Sequence, residues 1–264
     1  MNPGMDFAAP SSGDGPLPDP IAEARRLVAV AAGQGLTVRL LGGVAVHLQG
    51  PPEGLLIPRA IRDIDLAAQR KGWQALAKLM KASGYVADDM FNAAHGSRRL
   101  LFYDEANERK LDVFVGEFSM CHALPIADRL DRQPLTIPLA ELLLTKLQIV
   151  ELTQRDQFDV YNLVYHNEVA VGKGGAGIES GYIAELCARD WGLWRTCTWT
   201  IERCMTDLPG HGLAEGPAEV IGARLGLLRS EIERAPKSTR WKLRSRVGDK
   251  VRWYEEPEEH KDTV

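Results

Sequence analysis

No stretch of this chain approaches the ~20 consecutive apolar residues that a membrane-spanning helix needs. The opening "MNPGMDFAAPSSGDGPLPDP" lacks a basic segment leading into an apolar core, so no secretory signal is expected and a cytoplasmic protein is. Cysteine is scarce. Cys121, Cys187, Cys197 and Cys204 form no C-x-x-C pair and have no Cys/His spacing suited to zinc. Buried free thiols in a reducing compartment are the expectation. No internal repeat is visible. "GKGGAG" (172–177) lacks the G-x-x-x-x-G-K-[ST] order and no strand leads into it, so it reads as a connector.

What is present is the composition of an ordinary globular protein, 45% apolar and 26% charged over 264 residues. That length buries a sizeable core without disulfide or metal staples. The net charge of −4 is unevenly spread. Residues 237–252, "KSTRWKLRSRVGDKVR", carry seven Lys or Arg against the single acid Asp249, which leaves the rest of the chain strongly acidic. With Trp241 inside the block and Trp253 beside it, two readings stand. One is a surface for nucleic-acid phosphates with an aromatic for base stacking. The other is a solvated helix face followed by a charged tail.

The hydrophobic pattern divides the chain. Residues 1–20 read as disordered. A helix is expected over 21–32, a buried strand in "LTVRLLGG", a helix opening in "VAVHLQG", and a loop in "PPEGLLIPR". "GWQALAKLMKASG" reads as an amphipathic helix stopped by Gly84. Strands are expected at 98–103 and 109–116 around the turn "DEANE". From Pro138 helical periodicity takes over, in "PLAELLLTKLQIVELTQRDQFDVYNLVYH", then "ESGYIAELCARDWGLWRTCTWTIERCM", then 218–234. The expected plan is an α+β mixed sheet flanked by helices over 21–137, a helical domain over 138–254, and an acidic tail over 255–264.

Two aspartates stand out in "RAIRDIDLAA". On a strand, Asp63 and Asp65 project to one face while Ile64 and Leu66 take the other. Two carboxylates on one face repel unless a cation lies between them, and hard oxygen ligands favour Mg2+ or Mn2+. Asp112 in "RKLDVFVG" supplies a third acid, with Val113 and Val115 opposite. Three such carboxylates on neighbouring strands suit a phosphoryl displacement. Upstream, Gly42 and Gly43 in "LLGGVAVHL" mark a strand-to-helix turn where backbone amides can approach an anion. Each signal alone is weak, since strand-end acids and Gly-Gly turns are common.

Together, "LLGGVAV", "IRDIDLA" and "KLDVFV" resemble the nucleotidyltransferase superfamily that includes DNA polymerase beta, in the right order over roughly residues 36–166. The bacterial AbiEii-type branch and the related MenT-type toxins are the most similar, with Arg59 and Arg62 in the place of that branch's basic residues. The insertion "PPEGLLIP" and glycine in place of a serine at Gly43 depart from the pattern. The resemblance implies a fold of the polymerase-beta type and a Mg2+- or Mn2+-dependent transfer of a nucleoside monophosphate from an NTP to an acceptor hydroxyl. Asp63, Asp65 and Asp112 would hold the metal, and Gly42, Gly43 and Arg62 would contact the nucleotide. Lys146 in "LLLTKLQ" would meet the phosphate tail, with Asp159 orienting it and Asp156 and Arg155 nearby. Snorkelling for Lys146 and an ordinary helix surface for Asp159 are the alternatives.

The same resemblance makes an acceptor such as tRNA, reached through 237–252, and an antitoxin protein the implied partners, in a toxin-like role. Transfer to a small molecule such as an aminoglycoside is a second reading. A catalytically silent nucleotide- or nucleic-acid-binding module is a third. His47, His95 and one of Arg98 or Arg99 are weaker site candidates. The Trp191, Trp194 and Trp199 group reads as helix packing rather than base stacking.

Overall fold

The computed structural model describes residues 15–256, so the expected acidic tail beyond Glu256 and the first fourteen residues lie outside it. The fold is mixed α/β and groups into two units. The first takes residues up to Leu48, then Ala60–Phe118 and Pro125–Pro138. The second takes Gln49–Arg59, Ser119–Leu124 and the chain from Leu139 onward. Two short segments that a linear reading places in the N-terminal half therefore belong to the second unit.

In the first unit, α1 (Pro20–Gly33) starts where Asp19 accepts from Ala22 N at 2.7 Å and proline takes a position whose N–H has no helical partner anyway. The preceding residues are tied down: Leu17 N donates to Glu23, and Arg109 donates to the Leu17 carbonyl at 2.7 Å. Then follow β1 (Val38–Leu41), α2 (Gly42–Leu48), β2 (Ile64–Ala68), α3 (Trp73–Ala82), β3 (Val86–Ala87), α4 (Asp89–His95), β4 (Arg99–Asp104) and β5 (Arg109–Val115). The sheet order is β1-β2-β5-β4-β3. Only β2 and β5 run parallel; the other pairs are antiparallel. Leu135–Ile137 extends the β1 edge, with Leu40 N donating to the Leu135 carbonyl and Ile137 N to the Leu40 carbonyl, both at 2.9 Å.

Strand alternation gives this sheet two chemically different faces. One carries Leu40, Ile64, Leu66, Leu111, Val113, Val115, Leu100 and Phe102, all without exposed surface. The opposite face carries Asp65, Lys110, Asp112, Phe114 and Arg99. The first face is apolar but for the buried ion pair of Asp104 with Arg109 at its end, and it fixes the register, because a one-residue slip would bury the charged set of the other face.

In the second unit, the helix-periodic run from 138 forms two helices, α5 (Leu139–Leu147) and α6 (Gln154–His166). The break has a local cause: Thr153 and Asp156 form a reciprocal capping box that starts a new helix. Likewise α7 (Ser180–Arg189) and α8 (Trp191–Asp207) separate at Asp190, whose carboxylate accepts from Leu193 N at 3.0 Å. α9 (Glu215–Arg234) begins earlier than periodicity suggests, since Pro217 falls in the first turn where no N–H is needed. α10 (Thr239–Ser245) follows. All four cysteines are free and buried. Among the described residues no helix is long and apolar enough to cross a membrane.

Candidate functional site

The parallel pairing of β2 with β5 sets Asp65 directly opposite Asp112. Asp63 precedes the first residue of β2 and is exposed; Asp65 is half-buried and Asp112 nearly fully buried. On the other side of β2, Asp65 faces Leu41, the last residue of β1, and the chain turns at Gly42. A Cβ at Gly42 would lie 1.8 Å from Asp65 Oδ2, and the residue has φ +63°. The glycine is thus accounted for by the chain's own carboxylate, which lies against its Cα. Gly43 is buried in the first turn of α2.

Asp112 is already engaged. Arg99 on β4 donates from Nε to Oδ1 at 2.8 Å and from Nη2 to Oδ2 at 2.5 Å, a bidentate fork. Lys110 Nζ stands 3.7 Å from Oδ2. The Arg99 guanidinium lies 5.1 Å from the Phe114 ring and 5.8 Å from that of Phe91 on α4. Of the two adjacent arginines, Arg99 opens β4 and points to this face, while Arg98 just before it is exposed. Lys110 was missed by the sequence reading, although its spacing of two from Asp112 puts it on the same face. Arg62 is exposed just before β2.

The carboxylates of Asp63 and Asp65 are hard oxygen donors of the kind Mg2+ or Mn2+ prefers, but the same face carries the cations Arg99 and Lys110. As arranged here, among the described residues no group of three His, Cys, Asp or Glu could hold a metal ion. The third carboxylate is taken by Arg99.

The remaining polar candidates gather in the second unit. Asp159 on α6 is fully buried and is no helix-surface acid. Its Oδ2 lies 2.8 Å from Lys146 Nζ and its Oδ1 3.0 Å from Arg59 Nε, with Asp156 3.9 Å from Lys146. Two cations converging on one carboxylate offset the cost of burying it. Arg155 is exposed. The structure therefore brings Asp65, Asp112 and Arg99 together in one unit, with Asp63 exposed just before β2, and Lys146, Asp159, Asp156 and Arg59 together in the other.

In the basic block, both tryptophans are used internally. Trp241 meets Trp194 edge-on at 5.1 Å, and Trp253 meets Trp191 at 6.0 Å. Trp253 Nε1 donates to Thr196 Oγ1 at 3.0 Å, and Arg244 covers the Trp191 ring at 4.6 Å. Arg240, Lys242, Arg246, Lys250 and Arg252 remain exposed, beside Leu243 and Val247. Trp199 is covered by Arg203 at 5.3 Å. His95 stacks on Phe91 at 4.8 Å, and His47 is half-buried in the last turn of α2. In the glycine-rich connector Lys173 pairs with Glu185, and Gly174 N donates to Glu179. Compared with protein-family models, curated proteins and solved structures, the chain matches none.

Proposed function

We propose that the first unit is a metal-dependent nucleotidyltransferase centre, moving a nucleoside monophosphate from an NTP to an acceptor hydroxyl. One observation carries the reading: Asp65 and Asp112 are register partners on parallel neighbouring strands, with Asp63 two residues along from Asp65. The other sheet face is apolar apart from the buried ion pair of Asp104 with Arg109, so Asp65, Asp112, Lys110 and Arg99 share the more polar face. Bound Mg2+ or Mn2+ would supply charge neutralisation for the transferred phosphoryl group and acidify the acceptor hydroxyl. Asp63 and Asp65 would hold the ion that accompanies the triphosphate, and Asp112 the one nearest the acceptor. Arg62, exposed beside them, would meet phosphate oxygens. Gly42 admits the Asp65 carboxylate and so sets its position. The resemblance also gives Lys146 a phosphate contact. Its ammonium is already held by Asp159 within the second unit, so the proposal stands on the first unit alone.

The exposed cations of 240–252 support an RNA acceptor such as tRNA over a small cationic molecule such as an aminoglycoside. Phosphate contact rather than base stacking would bind it, because Trp241 and Trp253 are packed. An antitoxin partner remains an implication of the resemblance only.

A second reading, a silent nucleotide-binding module, is favoured by one observation: Arg99 occupies both oxygens of Asp112. Incubation of the chain with α-labelled NTPs, Mg2+ and total tRNA separates the two. Label on RNA that vanishes in Asp63→Ala and Asp65→Ala supports transfer. Label that persists in the double variant overturns it. Mg2+-dependent nucleotide binding without label on any acceptor supports the silent module.

A further inference from the structure

We propose that the first unit carries a recognition site for an extended Pro-x-Pro strand, filled here by the chain's own Pro16-Leu17-Pro18 and open to such a segment of a partner protein when that strand leaves. None of its groups lies on the acidic sheet face, so its fate and that of the metal-site reading are separate. Prolines at 16, 18 and 20 bias Gly15, Leu17 and Asp19 to extended backbone, which pre-sets the stretch as a polyproline-like strand. Asp19 is extended, with φ −71° and ψ 119°. Such a strand has an unusual polar inventory. Pro16 and Pro18 have no N–H, so the three residues offer three carbonyls and a single donor, Leu17 N. The groups around them match that count. Glu23 Oε2 accepts from Leu17 N at 3.0 Å. Arg109 donates to the Leu17 carbonyl at 2.7 Å and to the Pro18 carbonyl at 3.4 Å, and Asn107 Nδ2 to the Pro16 carbonyl at 3.5 Å. Gly84 makes room for the first ring, since a Cβ there would lie 2.7 Å from Pro16 Cδ.

The cradle is built independently of the strand it holds. Glu23 has no exposed surface, and its carboxylate also takes Arg26 at 2.7 and 2.8 Å and the Tyr85 hydroxyl at 2.7 Å. The Arg109 side chain is 3% exposed and is held by Asp104 at 2.6 Å, and Asp104 accepts from Asn107 at 2.8 Å. Emptying the cradle therefore leaves Glu23, Arg109 and Asn107 each with a partner, and the arrangement persists. The strand, by contrast, is held through its backbone by four hydrogen bonds, two of them long, and Pro18 is exposed. Its grip is that of a ligand. A Pro-x-Pro segment of another chain presents the same three carbonyls and one N–H, in a backbone already extended before it binds.

The test is calorimetry of the full chain with a synthetic peptide of residues 13–20, GDGPLPDP. In the double variant Pro16→Gly, Pro18→Gly the chain's own strand loses its preset and vacates the cradle. That variant is expected to bind the peptide at least tenfold more tightly than the wild type, whose site is already filled. A peptide with alanine in place of its second and third prolines counted from the C-terminus should bind the variant at least tenfold more weakly. Should the variant fold poorly, the wild type decides alone: its Leu17 amide should be protected from hydrogen exchange and should lose that protection in millimolar peptide. Equal peptide affinity in wild type and variant, equal affinity of the variant for both peptides, or Leu17 protection unchanged by the peptide overturns the site.

Discussion

Gly42 is constrained twice over. Its φ of +63° is costly for any side chain, and a Cβ would lie 1.8 Å from Asp65 Oδ2. Gly42→Ala is therefore expected to lose more than ~2 kcal/mol of stability in urea unfolding. Part of that loss should return when Asp65→Ala is added, because the clash is with that carboxylate; independent, additive effects would show the strain to be backbone alone. His122 gives a second residue-scale prediction. It is 8% exposed, its Nε2 lies 2.8 Å from Thr196 Oγ1, and burial pushes its pKa down to about 4. Folded protein thus binds this proton less readily than the unfolded chain. The neutral ring contributes fully above the unfolded pKa of about 6.5, and the contribution is lost as pH falls toward 4. The magnitude is about 3 kcal/mol, so the melting temperature should drop between pH 6.5 and 4, and less steeply in His122→Gln.

At the scale of elements, α6 acts as a rail for the 49–59 segment. Asp159, Asn162 and His166 recur at helical spacing on it. Asn162 both donates to the Ile57 carbonyl and accepts from Ile57 N, each at 3.0 Å; His166 Nε2 accepts from Leu56 N at 2.9 Å; Asp159 takes Arg59. The proline-rich loop that reads as a featureless insertion is thus pinned at three points. Asn162→Ala should raise amide exchange at Leu56 and Ile57 and expose the segment to protease; unchanged exchange would show that the hydrogen bonds do not hold the loop. Asp159→Asn keeps the shape but leaves Lys146 and Arg59 without their shared anion. It should destabilise by about 3–5 kcal/mol, read by denaturant unfolding. Helix boundaries followed the same local logic. The breaks at Thr153 and Asp190 are caps, and Thr-x-x-Asp was readable in "TQRD", but apolar periodicity running on either side concealed it.

For the whole molecule, the segregation of charge is the feature with a consequence for partners. Five cations between Arg240 and Arg252 stay exposed while the tryptophans among them are packed away. If RNA binds here, log affinity should fall linearly with log salt, by about 0.7–0.9 for each phosphate neutralised. The triple substitution Arg240→Glu, Lys242→Glu, Arg246→Glu should weaken tRNA binding at least tenfold at low salt without lowering the melting temperature. An unchanged salt slope would remove this segment from the acceptor surface.

The sequence by itself determined four of the sheet's five strands, all but the short β3, with the parity of β2 and β5 and the three acids, because the alternation of Asp65 and Asp112 with apolar neighbours assigns their faces. It also determined that only one of Arg98 and Arg99 could join them. Tertiary structure alone decided the rest. Which strands are neighbours placed Asp65 against Asp112, and the antiparallel β4 brought Arg99 onto that carboxylate. The folding of 49–59 onto α6 gave Arg59 to Asp159, an ion pair a hundred residues apart in sequence. Parity is set by neighbouring residues along the chain. Pairing is set by which surfaces bury together, and no local pattern encodes it.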